Sequence, residues 1–356
     1  IKAAADDEGV ITIAGGTLTF VGSIGESGSD LDQVTLGAAL TIDGSLFAKD
    51  VGVDGNFNLT FNGATLQTVS AAIDSNANDG DIVTGASAIV TFNAAIGKSS
   101  LGVDDAVDNI SLGTGTTTIF SSTVNADTLT LDGTSTATFE DAVTLTTDLD
   151  GATNTTITLG RGIVAGETVF TLSQSGQFTA GPITLNVPQT FNSGVITLTD
   201  TGAANAVADN NNITVNSSVL ATYTKGTADG GNDITITATK KSAASIAADL
   251  GVTADAAAAL DNSVTAAAGD AVALLGLTNA LVAGGAEAKL AAEQVQTSPT
   301  ALTAAGTAAA SVGSAVFGVG SARLASLRTG AAYASAAATG FATGNEGSGL
   351  SVWIRP

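Results

Sequence analysis

The chain contains no histidine, cysteine or methionine, and each absence narrows its chemistry. Without His and Cys it lacks the usual zinc ligands, the commonest general base and the thiol nucleophile. Without Cys it carries no disulfides, although secreted chains often use them. Disulfides would hinder a polypeptide that crosses a membrane unfolded through a narrow pore, so their absence fits export. Aromatic residues make up 4% of the chain, too few for a compact core built on large rings. Basic residues are outnumbered 11 to 33, giving a formal charge of -22. That balance argues against nucleic acid, whose phosphates need clustered Lys and Arg, and against anionic lipid surfaces. No apolar run reaches the roughly 20 residues of a membrane-spanning helix. The best candidate, Ala271 to Ala283, is interrupted by Gly276, Thr278 and Asn279. The chain opens Ile1-Lys2, with neither an initiator Met nor a signal peptide, and is expected to be a fragment or a processed product.

Apolar residues still reach 44%, mostly Ala, Val, Leu and Ile. Up to about Lys240 they alternate with Thr in short runs. Examples are Val10-Ile11-Thr12-Ile13, Asn58-Leu59-Thr60-Phe61, Thr128-Leu129-Thr130-Leu131 and Asp233-Ile234-Thr235-Ile236-Thr237. Alternation with period two is a strand signal, and it argues against the disorder that high acidity with few aromatics can mean. Clusters of Gly, Asn and Asp punctuate the runs as turns. Asn62-Gly63 and Asp132-Gly133 each sit between two such runs and carry the two-residue hairpin signal. Gly15-Gly16 and Gly230-Gly231 lack the following Lys-Ser/Thr of a phosphate loop and read as turns.

A looser motif recurs as Thr60-Phe61, Thr91-Phe92, Thr138-Phe139 and Thr190-Phe191, each followed by Asn or Glu. Phe120, Phe139, Phe170 and Phe191 follow one another at intervals near those of solenoid coils. These patterns predict an all-β, right-handed parallel β-helix over 1–241. About twelve coils at roughly 4.8 Å each would form a rod on the order of 55 Å long. An antiparallel sandwich is the competing fold.

From 242 the composition turns Ala-rich and helical. Ser242 to Gly251 reads as a helix with a Gly C-cap, followed by helical stretches at Asp255 to Leu260, Asp270 to Ala283 and Glu287 to Val295. Pro299 interrupts them. Val312, Val316, Val319, Arg323 and Leu327 then share one face of a slender helix.

Several stretches resemble the passenger-to-barrel junction of monomeric type V autotransporters. Ala291-Ala292-Glu293-Gln294-Val295 with Pro299 resembles that family's Glu-Gln-Leu element. Ala322 to Gly330 resembles its Arg-containing linker helix, and Ser351-Val352-Trp353-Ile354-Arg355-Pro356 the opening of its first barrel strand. Tyr223-Thr224 and Ile234 to Ser242 resemble the end of the passenger β-helix in large surface-layer-like members. The resemblance implies a β-helical passenger outside the cell, anchored in a Gram-negative outer membrane, with residues 190–240 as an autochaperone segment. It implies an Ala-rich helical linker over 242–344 that leads to an outer-membrane β-barrel absent from this chain, with 345–356 opening the first barrel strand at Trp353 and Arg355. Arg323 and Arg328 would face acidic residues in the barrel lumen. The implied partners are that barrel, its assembly machinery, and a host or neighbouring cell surface or matrix, with lateral self-association between copies. The linker departs from the family in lacking the Asn-Asn pair at which some members cleave themselves.

Candidate sites are few. Asp74, Asp79 and Asp81 belong to the densest acidic loop, whose oxygen spacing resembles a calcium loop. The twelfth position from Asp74, where an EF-hand needs a bidentate Glu, is Gly85, so a solvated turn is preferred. Asp104, Asp105 and Asp108 form a similar group. Glycoside cleavage by paired carboxylates would need a groove lined with aromatic and basic residues. The chain has one Trp and two Tyr, so no catalytic residue and no cofactor is assigned. A Ser-Lys pair near Lys240 or Lys241 reads as solvated. The expected function is that of an extracellular structural or adhesive stem. The alternative is a subunit of an ordered surface layer or filament, and a polysaccharide-processing enzyme ranks third.

Overall fold

The computed structural model describes residues 1–266 except 2, 76–78, 98–105, 161–162, 173–176, 189–190, 202–211 and 217, together with 289, 292, 342–343 and 352–353. The chain is mostly β, and its strands assemble into two long sheets of ten and twelve members. Successive strands alternate between the sheets, so that Asn58–Phe61 lies in one, Leu66–Asp74 in the other and Asp81–Thr84 back in the first. From Val10 to Val215 the pairs are parallel. This solenoid-like arrangement matches the expected all-β class, with ten and twelve strands in place of a uniform dozen coils.

Stacked rungs hold chemically like residues at one register. Leu18, Leu40, Leu59, Ile82, Ile110, Leu129 and Leu149 form one continuous inward ladder. Ile11, Val34, Val51, Ile73, Ile96, Val124 and Val143 form another. Period-two alternation is what makes this workable: inward aliphatics bury themselves under the next rung while the intervening Thr face outward.

The phenylalanines form a spine. Phe61, Phe92, Phe120, Phe139 and Phe170 succeed one another with ring centroids 5.4, 5.3, 5.1 and 5.2 Å apart. Phe92, Phe120 and Phe139 occupy one register of one sheet, and their rings lie nearly parallel, at 5°. Phe61 and Phe170 come from the opposite sheet and meet the column edge-on, at 86° and 81°. Both geometries suit the aromatic quadrupole. Phe191, expected in the same series, stacks instead on Tyr223 at 6.4 Å. The Tyr223 hydroxyl donates to the carbonyls of Pro188 and Phe191, fastening that turn to the following hairpin.

The expected hairpins at Asn62-Gly63 and Asp132-Gly133 are corrected. Both dipeptides are corners between strands of different sheets. A Cβ on Gly63 would stand 2.3 Å from the Asp43 carbonyl of the preceding rung, so the stacked corner requires glycine. Buried Gln67 locks it. Its Oε1 accepts from the Gly63 amide at 2.7 Å, and its Nε2 donates to the carbonyls of Ile42 and Gly44. At the other corner the Asp132 amide donates to the Leu112 carbonyl one rung away.

The parallel stack does not run to 241 as expected. Ala221–Ala228 and Asp233–Lys240 form an antiparallel hairpin around Asp229–Gly231, and the second strand pairs antiparallel with Gly194–Asp200. Gly230 and Gly231 take φ of 71° and 106° there, values that favour glycine. Two helices follow, α1 (Ala243–Leu250) and α2 (Ala254–Ala266), bent by 110°. Ser242 caps α1 by accepting from the Ser245 amide, and Gly251 ends it at φ 66°. Ile246, Leu250, Ala257 and Leu260 cluster with Leu220. No single helix among the described residues is long and apolar enough to cross a membrane.

Phe120→Ala should cost about 3–5 kcal/mol of unfolding free energy, because the ring is buried between two others. Leu66→Ala, at an exposed position, should change stability by less than about 0.5 kcal/mol. Urea titrations of both variants check the contrast.

Candidate interaction face

From the Leu66 row onward the outward residues of the ten-stranded sheet form two ranks. Reading down the stack, the rows are Leu66 with Thr68, Ile89 with Thr91, Thr117 with Ile119, Thr136 with Thr138, Thr156 with Thr158, and Thr184 with Asn186. Thr214 with Asn216 completes them. Rows lie about 4.8 Å apart and the ranks about 6.6 Å apart, as parallel strand geometry sets. Charged residues are absent from these positions, although the chain carries -22 overall. The ranks also knit laterally. Asn216 Nδ2 donates to Asn186 Oδ1 at 2.5 Å, and Asn186 Nδ2 donates to Thr158 Oγ1 at 3.2 Å.

The twelve-stranded sheet is different. Its outward positions include Asp81, Asp148 and Asp150 among Asn109, Thr128 and Thr130. Asp127 lies on the same strand as Thr128 and accepts from the Thr146 hydroxyl. The ten-stranded sheet carries charge as well, but only on its earlier rungs, where Lys49 pairs with Asp32 at 3.5 Å and Asp50 and Asp74 stand at non-buried positions; the uncharged stretch runs from the Leu66 row to the Thr214 row.

The acidic loop is built as a latch. Asp79 Oδ1 accepts from the Ser75 hydroxyl at 2.9 Å, Asp79 Oδ2 accepts from the Gly55 amide at 2.9 Å, and the Asp79 amide returns a bond to Ser75. Asp74 ends its strand opposite Gly52. Asp81 lies on the next strand, in register with Asn58 and Asn109. Among the described residues no group of three or more acidic side chains gathers for a metal. Burial pushes the Asp81 carboxyl above its ordinary value, and the Asp108 carboxylate adds to the shift while a hydrogen bond from the Asn109 backbone opposes it. Asp104 and Asp105 lie outside the described residues.

Lys240 and Lys241, read as solvated, are ion-paired. Lys240 Nζ meets Asp261 at 2.7 Å, tying the last strand to α2. Lys241 Nζ meets Asp249 of α1 at 2.8 Å and donates to the Ser218 carbonyl at 2.9 Å. The linker arginines Arg323 and Arg328, and Arg355, lie outside the described residues. Trp353 belongs to the short strand Val352–Trp353, which pairs antiparallel with Ala342–Thr343.

Reading the sequence alone missed the neutral face. Its signal was the Thr-x-Thr spacing at Thr136/Thr138 and Thr156/Thr158, but the coils between strands differ in length, so the register that aligns these pairs is not visible locally. No protein-family model, curated protein or solved structure matches this chain.

Asp81 has a pKa raised in the fold, so the folded state binds its proton more tightly than the unfolded chain does. Its ionisation therefore removes stability as pH rises through the raised value, and acidification from neutrality restores that stability until the ordinary carboxylate value of 3.8 is passed. Asp81→Asn should be more stable than the parent at neutral pH and should show a flatter stability profile between neutrality and the carboxylate range. Thermal melts across that interval check it.

Proposed function

We propose that this chain is the extracellular stem of an autotransporter-type surface protein, folded as a right-handed parallel β-helix and projecting from a Gram-negative outer membrane. The observation that carries this reading is the long stack of parallel rungs, with an uncharged Thr/Asn face on one side from the Leu66 row to the Thr214 row. A stack whose every rung hydrogen-bonds the next is stiff along its axis, which suits a projecting stem. A chain without cysteine, and so without disulfides, suits assembly after export. The neutral face is the contact surface for a host surface, matrix or neighbouring cell. A strongly acidic body repels other acidic surfaces, and charge-free ranks are where close approach costs least. The last strands and the hairpin, residues 190–240, serve as the stable segment that folds first, ahead of the helical linker leading to the barrel.

The neutral face also favours a second reading, in which copies pack side by side into an ordered surface layer. Regular lateral spacing in images of the cell envelope would distinguish that from a dispersed adhesin.

Beads coated with the whole chain should attach to a matrix-coated or cell-covered surface. The triple variant Thr136→Glu/Thr156→Glu/Thr184→Glu should lose most attachment, whereas Thr41→Glu/Thr60→Glu on the other sheet should keep it. Equal attachment by both would remove the assigned face. Deleting Ile213 to Thr239 from a chain joined to a barrel should lower surface display, and normal display would contradict the early-folding role.

A further inference from the structure

Buried hydroxyls gather at one corner between the two sheets. Thr84, Thr116, Thr118 and Ser135 are each at most 1% exposed, and their hydroxyl oxygens have no hydrogen-bond partner among the described residues. A buried hydroxyl left unpaired costs about 1–3 kcal/mol, so several at one corner point to an occupant.

Register places two of them in a column. Thr117 pairs with Thr136, and the Thr136 amide donates to the Thr116 carbonyl at 2.8 Å. Thr116 and Ser135, the residues just before that pair, are thus one rung apart. Rungs are about 4.8 Å apart, too far for a direct O–H···O bond of about 2.8 Å. A single oxygen between them, about 2.8 Å from each, would subtend an angle of about 118°, close to that of a hydrogen-bonding water. The column is bounded at both ends. Ala88 precedes Thr116 at this register and has no hydroxyl, and Thr155 follows Ser135 with its own hydroxyl donating to the Ala152 carbonyl at 3.2 Å.

Neighbouring side chains supply the room. The adjacent inward column runs Val90, Thr118, Ala137, Ile157 and Leu185. It narrows to a single methyl at Ala137, on the strand that follows Ser135, and Thr118 presents its hydroxyl one rung away. A water here would meet the Thr116 and Ser135 oxygens, the two partners that a buried water needs at least. The hydroxyls are neutral, so a cation would enter without a countercharge among them.

We propose that this corner is a binding site for buried structural water, bridging the hydroxyls of Thr116 and Ser135 inside the stack. The single variants Thr116→Val and Ser135→Ala should each lower the melting temperature of the whole chain, because each leaves the water short of a partner. The double variant Thr116→Val/Ser135→Ala should lose less than the two singles combined, since the second substitution removes the group that the first left unsatisfied. A higher melting temperature for each single would overturn the proposal, because it would mean that unpaired hydroxyls had been removed. Where a variant fails to fold, oxygen-17 relaxation dispersion on the unmodified chain decides. A long-lived internal water supports the site, and its absence overturns it. A melting temperature that changes when sodium replaces potassium would also overturn it, in favour of a bound cation.

Discussion

Each rung of this chain can bury its inward side chains only beneath the next rung. One coil alone has two short strands, a few aliphatics and two rows of backbone groups that need partners. Stacking meets both needs together, because the parallel register that satisfies the amides also places Leu on Leu and Val on Ile down the ladders. The phenylalanine spine follows the same logic. Rings at one register of one sheet stack face to face, and rings arriving from the other sheet meet the column by their edges. Coil length can then vary, because whatever lies between strands is looped out while register is kept.

Alternation also decides the surface. Every second residue faces outward, so stacking turns a local Thr-x-Thr into ranks that run along the molecule. From the Leu66 row to the Thr214 row of one sheet these ranks are uncharged; on the other sheet they carry Asp81, Asp148 and Asp150. The proposed contact role rests on this separation, because an acidic molecule meets other surfaces most readily where its own charge is missing. Inside the stack the same repetition carries a cost. Where the inward series includes Thr116, Thr118 and Ser135, hydroxyls line up at a spacing that they cannot bridge themselves.

A parallel stack has no natural end, since its last rung presents the same unpaired backbone edge as any other. Here the C-terminal end is closed by a change of pairing. The Ala221–Ala228 and Asp233–Lys240 hairpin turns antiparallel, and α1 and α2 fold over Leu220. Lys240 and Lys241 fix those helices through Asp261 and Asp249. Three of the chain's few lysines lie in this closure. Lys225 belongs to it as well, donating to the Ile213 carbonyl at 2.5 Å.

Local chemistry by itself determined which residues form strands, which of them point inward, and where α1 begins and ends. Period-two alternation, Ser242 as a cap and Gly251 as a stop act over a few residues and can be read there. The competition between hairpin and corner at Asn62-Gly63 could not be settled that way, because both conformations suit the dipeptide. Only the Asp43 carbonyl of the neighbouring rung and the side chain of Gln67 select the corner. The neutral face, the water-sized hydroxyl column and the antiparallel closure were likewise decided by tertiary structure. Each depends on register between segments about 20 to 30 residues apart, the length of a solenoid coil. That register is set by which buried side chains stack, a long-range packing choice that no local window of the sequence contains.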